Sequence, residues 1–213
     1  TAAECISTHN TLHASGYRIV WLDGFGVGST AYYNAIWEHT SGSSQRLRLG
    51  ETLSAHQSAD ATNNAAGYYL TDVCSFSVNG APLHAGIWAV ARSSPVEVRY
   101  SLSSAAYQTE FNSMGASGYH VQRVSGYMSG SLERYTGVWR TTSPGEGWAR
   151  HGMSAAGFTA EINNAQTLGY RPVFIDAWND DAGDTVYNAT WVRNGGLSTS
   201  RLGDISTAVQ NYM

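Results

Sequence analysis

The dipeptide Gly-Tyr occurs at Gly16-Tyr17, Gly67-Tyr68, Gly118-Tyr119 and Gly169-Tyr170, at a constant spacing of 51 residues. Trp37, Trp88 and Trp139 keep that spacing, and Trp191 arrives one residue late. Arg48, Arg99, Arg150 and Arg201 return to it, so the fourth copy carries one insertion and one compensating deletion. Such a chain is an array of one supersecondary unit. A single copy cannot bury its own apolar face, so the copies must cover one another. The units fall at about 1–51, 52–102, 103–153 and 154–204, and 205–213 aligns with the opening of the first unit as the start of a fifth helix.

Each copy reads the same way. An amphipathic stretch, such as Ser104 to Gly115 or Phe158 to Leu168, predicts a helix that ends at the glycine of Gly-Tyr, where the left-handed conformation costs glycine no Cβ clash. A first strand follows. Its apolar columns, Ile19/Leu70/Val121/Pro172 and Leu22/Val73/Val124/Ile175, are three apart, and a bulge between them puts both on one face. Pro172 removes a ladder donor and suits an edge strand. The second strand alternates aromatic (or His84), small residue and tryptophan, as in Tyr135-Gly137-Trp139, so that large rings lie over one sheet face. After a turn, a short third strand carries the repeated arginine. The expected fold is therefore an α+β repeat of four roughly 51-residue units. Each is a helix plus a three-stranded antiparallel meander, and the four close into a small four-bladed β-propeller-like ring that leaves no exposed sheet edge.

Composition narrows the chemistry. All 12 basic residues are arginine, which excludes a Schiff base, a P-loop lysine and a Ser-x-x-Lys nucleophile. The net charge of −4 supplies no basic surface for nucleic acid. No apolar run reaches the roughly 20 residues of a membrane span. Charged residues are scarce (13%), and Gly, Ser, Thr, Tyr and Trp are plentiful, as in secreted proteins. On that ground Cys5 and Cys74 are expected to form a disulfide, and the chain is placed outside the cell.

Among side chains that could carry function, Arg48, Arg99, Arg150 and Arg201 come first. They could grip carboxylates, sulfates or sugar hydroxyls, or they could tie units together, and their presence in every copy favours the structural role. Trp21, Trp148 and Trp178 lie in columns or loops that differ between copies and are the better ligand platforms. His9 and His13, four apart on a helix, have no third metal ligand in the sequence, and the acidic stretch from Asn179 to Asp184 has no EF-hand spacing, so neither metal nor cofactor is expected. Asn188-Ala189-Thr190 is a glycosylation sequon, with Asn188 expected to point opposite Tyr187 and Ala189.

The order of helix, Gly169-Tyr170-Arg171-Pro172-Val173, Trp178, Tyr187-Asn188-Ala189-Thr190-Trp191 and the strand arginine Arg201 resembles the N-terminal repeat domain of the fungal polyglycine hydrolase family and related bacterial tandem-repeat proteins. The resemblance spans essentially the whole chain. It implies a small propeller-like ring of unusual handedness placed before a separate β-lactamase-like domain, whose serine cleaves the glycine linkers of a plant defence chitinase. The lysine-free chain here has no Ser-x-x-Lys pair of its own. The expectation is thus a non-catalytic substrate-recognition or positioning domain of a secreted serine-type protease, with a protein or glycan partner outside the cell and a downstream catalytic domain. A stand-alone lectin-like protein with several equivalent weak sites is the alternative, and an enzyme with its site inside one unit ranks last.

Overall fold

The computed structural model describes residues 1–90, 96–141 and 146–193. Arg201, the expected third strand of the fourth unit and the expected fifth helix at 205–213 lie outside the described residues. Four helices of equal length, α1 (Ala2–Ala14), α2 (Leu53–Ala65), α3 (Ser104–Ala116) and α4 (Ala155–Thr167), each start on a hydroxyl cap, Thr1, Thr52, Ser103 or Ser154. Each ends at its Gly-Tyr glycine, whose φ lies between 78° and 89°. After α2, α3 and α4 the amide of the following tyrosine bonds back to the helix, as Tyr119 does to the Met114 carbonyl at 2.9 Å, and one orphan carbonyl is satisfied.

The strands are β1 (Tyr17–Val27), β2 (Thr30–His39), β3 (Gln45–Glu51), β4 (Tyr69–Val78), β5 (Ala81–Ala89), β6 (Val96–Leu102), β7 (His120–Ser129), β8 (Leu132–Arg140), β9 (Glu146–Ser154), β10 (Arg171–Asn179) and β11 (Thr185–Arg193). They form sheets ordered β3-β5-β4, β6-β8-β7 and β9-β11-β10, with β1-β2 two-stranded among the described residues, and every pairing is antiparallel. This corrects the expected meander. The third strand of a unit leaves its own hairpin and pairs with the second strand of the next, so β3 lies on β5, not on β2. The physical repeat is strand, helix, strand, strand, and neighbours are joined by backbone hydrogen bonds as well as by packing. β10, which carries Pro172, is an edge strand as expected.

The bulge occurs in all four first strands. Register shifts at Ile19/Trp21, Leu70/Asp72, Val121/Arg123 and Pro172/Phe174 leave Val20, Thr71, Gln122 and Val173 without a ladder partner. Two of these extra residues bond to the next repeat through their carbonyls: Arg140 donates to Thr71 O, and Thr190 Oγ1 donates to Gln122 O. The bulge also turns the column Trp21/Asp72/Arg123/Phe174 to the face opposite the apolar columns.

On the apolar face, the helices press large rings onto the tryptophans. His56 meets Trp88 at 5.1 Å between centroids, Tyr107 meets Trp139 at 5.8 Å, and Phe158 meets Trp191 at 6.3 Å. Those three indoles are fully buried, whereas Trp37, on the two-stranded sheet, is only half-buried. The small middle residue of the second strand is a steric requirement: a Cβ at Gly137 would lie 2.0 Å from the Trp139 ring. Cys5 and Cys74 share an apolar cluster with Ile19, Leu22 and Phe76, but they are free thiols. The expected disulfide is thus corrected: both sulfurs pack as small apolar groups, and burial raises both thiol pKa values away from the reactive thiolate.

On the opposite face the first strands of all four repeats meet at Arg123, which is 3% exposed. Its guanidinium bonds Asp72 Oδ2 at 2.6 Å, Asp23 Oδ1 at 3.1 Å and the Leu22 carbonyl, and it lies 5.8 Å from the Trp21 ring and 4.8 Å from the Phe174 ring. Burial opposes its charge, and the surrounding carboxylates more than restore it. Replacing Arg123 by Met should cost about 3–5 kcal/mol in urea denaturation, because it strands two carboxylates. Arg99→Met, which removes only half-exposed ion pairs, should cost less than about 1 kcal/mol.

Candidate functional site

Beside Arg123 the first strands enclose a cavity of about 310 Å³. Every repeat lines it: Gly24, Phe25 and Gly26 from β1, Ser75 to Ser77 from β4, Gly126 from β7, and Asp176 to Asn179 from β10. These are equivalent columns filled by unlike residues. The aromatic column is Phe25/Phe76/Tyr127/Trp178, and the column before it is Gly24/Ser75/Gly126/Ala177. The two glycines admit rings from the next repeat. A Cβ on Gly24 would lie 2.3 Å from the Phe76 ring, and one on Gly126 would lie 2.0 Å from Trp178 Nε1. Trp178 is further fixed edge-on to Tyr135 at 6.1 Å. Phe25 is 40% exposed.

Among the described residues, Asp176 is the only ionisable side chain in the lining. Its Oδ2 accepts hydrogen bonds from Gly126 N at 2.8 Å and from Asn188 Nδ2 at 2.9 Å. Burial, followed by the charge of Asp23, pushes its pKa up to about 7 against the lowering effect of those two bonds and of Arg123. Asn188 is completely buried, and its Oδ1 also accepts from Gly152 N. The sequon asparagine is therefore buried, and in the folded chain its amide nitrogen is committed to Asp176.

Of the expected ligand residues, Trp178 lines the cavity, whereas Trp21 lies 5.8 Å from the Arg123 guanidinium and lines a separate groove with Tyr33 and Trp37. Trp148 lies elsewhere, between Tyr170 and Arg150, at 5.5 Å from the first and 4.8 Å from the second. The three repeated arginines among the described residues, Arg48, Arg99 and Arg150, do not line the cavity. Arg99 pairs with Glu97 and with Glu110 of α3, Arg150 pairs with Glu161 of α4 at 3.2 Å, and Arg48 lies 3.9 Å from Glu51. Each of the three ties its strand to a helix or to a near neighbour. Among the described residues no group of three or more His, Cys, Asp or Glu could hold a metal. His9 Nδ1 accepts from Trp37 Nε1 at 3.4 Å.

Arg123, Asp72, Asp23 and Asp176 were not singled out from the sequence. The available signal was the column Trp21/Asp72/Arg123/Phe174: two opposite charges 51 residues apart, flanked by two rings that a guanidinium can lie against.

Behind the cavity wall Ser75 Oγ lies 2.8 Å from His84 Nδ1 and 2.9 Å from Thr136 Oγ1, and Thr136 continues to Tyr127. Burial, then the charge of His56, lowers the His84 pKa to about 4, and no carboxylate orients its ring among the described residues, so it is a poor base for activating Ser75. His56 is also buried and lowered to about 4 by burial, with Glu51 Oε2 at 3.3 Å but out of hydrogen-bond alignment. Both imidazoles are neutral in the fold, while an unfolded chain takes up their protons below about pH 6.5. Their contribution is complete above that pH and is lost as pH falls toward 4. Glu51, Asp23 and Asp176, all raised, act in the opposite sense, so the histidine share is read by difference. Between pH 6.5 and 4.5 a His56→Phe variant should lose about 2 kcal/mol less stability than the parent in urea titrations.

The model of a polyglycine hydrolase-like structural repeat matches the chain four times, over residues 1–40, 42–90, 93–142 and 145–194. The last three matches each span one strand, helix, strand, strand unit, with the boundaries drawn by the sheets and not by the 51-residue count from Thr1. No curated protein matches the chain. With four matches that together cover most of its length, the chain belongs to the polyglycine hydrolase-like structural repeat family.

Proposed function

We propose that this chain is a non-catalytic substrate-recognition or positioning domain of a secreted polyglycine-hydrolase-like protease, and that it holds a protein or glycan partner in the central cavity. One observation carries the reading: all four copies of one fold line a single cavity, each with different residues, and the third with the bare backbone of Gly126 alone. A lectin of equivalent sites would repeat its contacts, yet the repeated arginines among the described residues, Arg48, Arg99 and Arg150, are engaged with the protein's own acids. The tethered protease domain would supply the chemistry, and this domain would supply one point of attachment.

The same proposal closes the four sheets into a propeller-like ring. Arg48 pairs across from Gly86, Arg99 from Gly137 and Arg150 from Ala189. In a closed ring the same sequence period would bring the segment around Arg201 to Ala35, on the β2 edge that has no strand partner among the described residues. A strand there would cover Trp37 as the others cover Trp88, Trp139 and Trp191.

Two outcomes follow. Isothermal titration with a partner, drawn from glycine-rich peptides and a glycan panel, should give a stoichiometry near one and lose most of its heat in Trp178→Ala; a value near four would favour the lectin reading. Removal of residues 197–213 should lower the melting temperature and expose Trp37 to acrylamide quenching. A truncated chain as stable as the parent would argue for an open array.

A further inference from the structure

We propose that the central cavity receives a primary ammonium group, a lysine side chain or an N-terminal amine of a partner protein, between Phe25, Trp178 and the carboxyl of Asp176. This inference rests on the cavity being the recognition site and adds the chemistry of what enters it.

Three carboxyl groups, Asp23, Asp72 and Asp176, surround one guanidinium, and among the described residues no Lys, Arg or His lines the cavity to balance the excess. Asp176 is nine-tenths buried in the wall, and Asp23 opposes its ionisation. A cation entering here relieves that repulsion, whereas a neutral sugar leaves it in place. The rest of the lining suits a cation as well. Phe25, Phe76 and Trp178 contribute aromatic rings to the lining, and such rings attract ammonium groups, while Ser77 and Asn179 carry side-chain oxygens that can accept from N–H donors. Trp178, seated against Gly126 and edge-on to Tyr135, is already fixed in position, so little ordering is left for the ligand to bring about.

Binding of an ammonium is then coupled to a proton. The groups around Asp176 are Asp23 on β1, Cys74 on β4, Arg123 and the Gly126 amide on β7, Tyr135 on β8 and the Asn188 amide on β11. Of these, Asp23 is itself raised by burial, and Arg123 stays charged throughout. The ligand selects ionised Asp176, so complex formation releases a proton and the affinity falls as the pH drops below about 7.

The test is calorimetry at pH 7.5 and 5.5 with Nα-acetyl-lysine amide and with a tripeptide amide bearing a free N-terminus. Their amine-acetylated forms and N-acetylchitotriose are the comparisons. The expected result is one site for at least one of the two amines, binding about 20-fold weaker at pH 5.5, and no heat from the acetylated forms. Whichever amine binds identifies the source of the ammonium. Phe25→Leu, at an exposed position that leaves the fold intact, should weaken binding about fivefold, and Asp176→Asn should remove the pH dependence. Equal binding of the acetylated forms, an affinity unchanged between the two pH values, or no binding of either amine overturns the proposal. Binding of the chitotriose at one site sensitive to Phe25→Leu overturns it too, while leaving the cavity as the recognition site.

Discussion

A single buried guanidinium is the contact on which the arrangement of the four repeats depends. Arg123 cannot leave water unless carboxylates and a carbonyl come to meet it, and these come from other repeats: Leu22 and Asp23 from the first and Asp72 from the second, with the fourth offering the Phe174 ring. Apolar packing alone would hold four similar sheets together in several relative positions of comparable energy. A buried charge with few acceptable partners is far less permissive, and it selects one. The short polar contact at the centre therefore sets the geometry, and the indole-on-helix clusters on the outer faces supply the bulk of the burial.

The parts of the fold that were legible in the sequence are those that every copy needs. The cap at Gly118, the bulge implied by a three-residue step from Val121 to Val124, and the gap at Gly137 demanded by Trp139 are local requirements, so each leaves its mark four times over. Strand exchange left no such mark. Val98-Arg99-Tyr100 reads as a third strand whichever neighbour it joins, because the same alternation serves either partner. Nor did the centre, because it is built from what the copies do not share. Arg123 has a tryptophan, an aspartate and a phenylalanine as its siblings, and Asp176 has Asp23, Cys74 and Ser125, so a search for recurring residues passes over both. The residues that do recur are the strand arginines, of which Arg99 and Arg150 fasten their strands to a helix and Arg48 pairs with Glu51 of its own strand. Cys5 and Cys74 were misjudged for a related reason: composition indicates a compartment but does not say whether two sulfurs face each other or each fills a niche in the core.

Repetition and singularity thus divide along the two faces of each sheet. The outer face is under identical demands in every copy and has kept tryptophan, small residue and helix in register. The inner face of four copies adds up to one surface, where sameness would place four like charges or four large rings in contact. The alternation of Gly24 with Phe76 and of Gly126 with Trp178 shows how this is resolved, since a missing side chain in one repeat makes room for a large one in the next. An array of equal modules is in this way able to build an asymmetric pocket.

The strand that each repeat lends to its successor also bears on how such a protein could have grown. A duplication whose ends fall between the second and third strands adds a complete sheet, and one whose ends fall before the helix divides a sheet between two generations of copies. The gene segment that behaves as a transferable piece would then be out of phase with the helix-first period seen by eye. The lent strands also interlock the modules covalently and laterally at once, as links in mail do. Damage to one repeat is therefore felt in the hydrogen-bond ladder of the next, and the loss of order should spread along the chain and not stop at a single module.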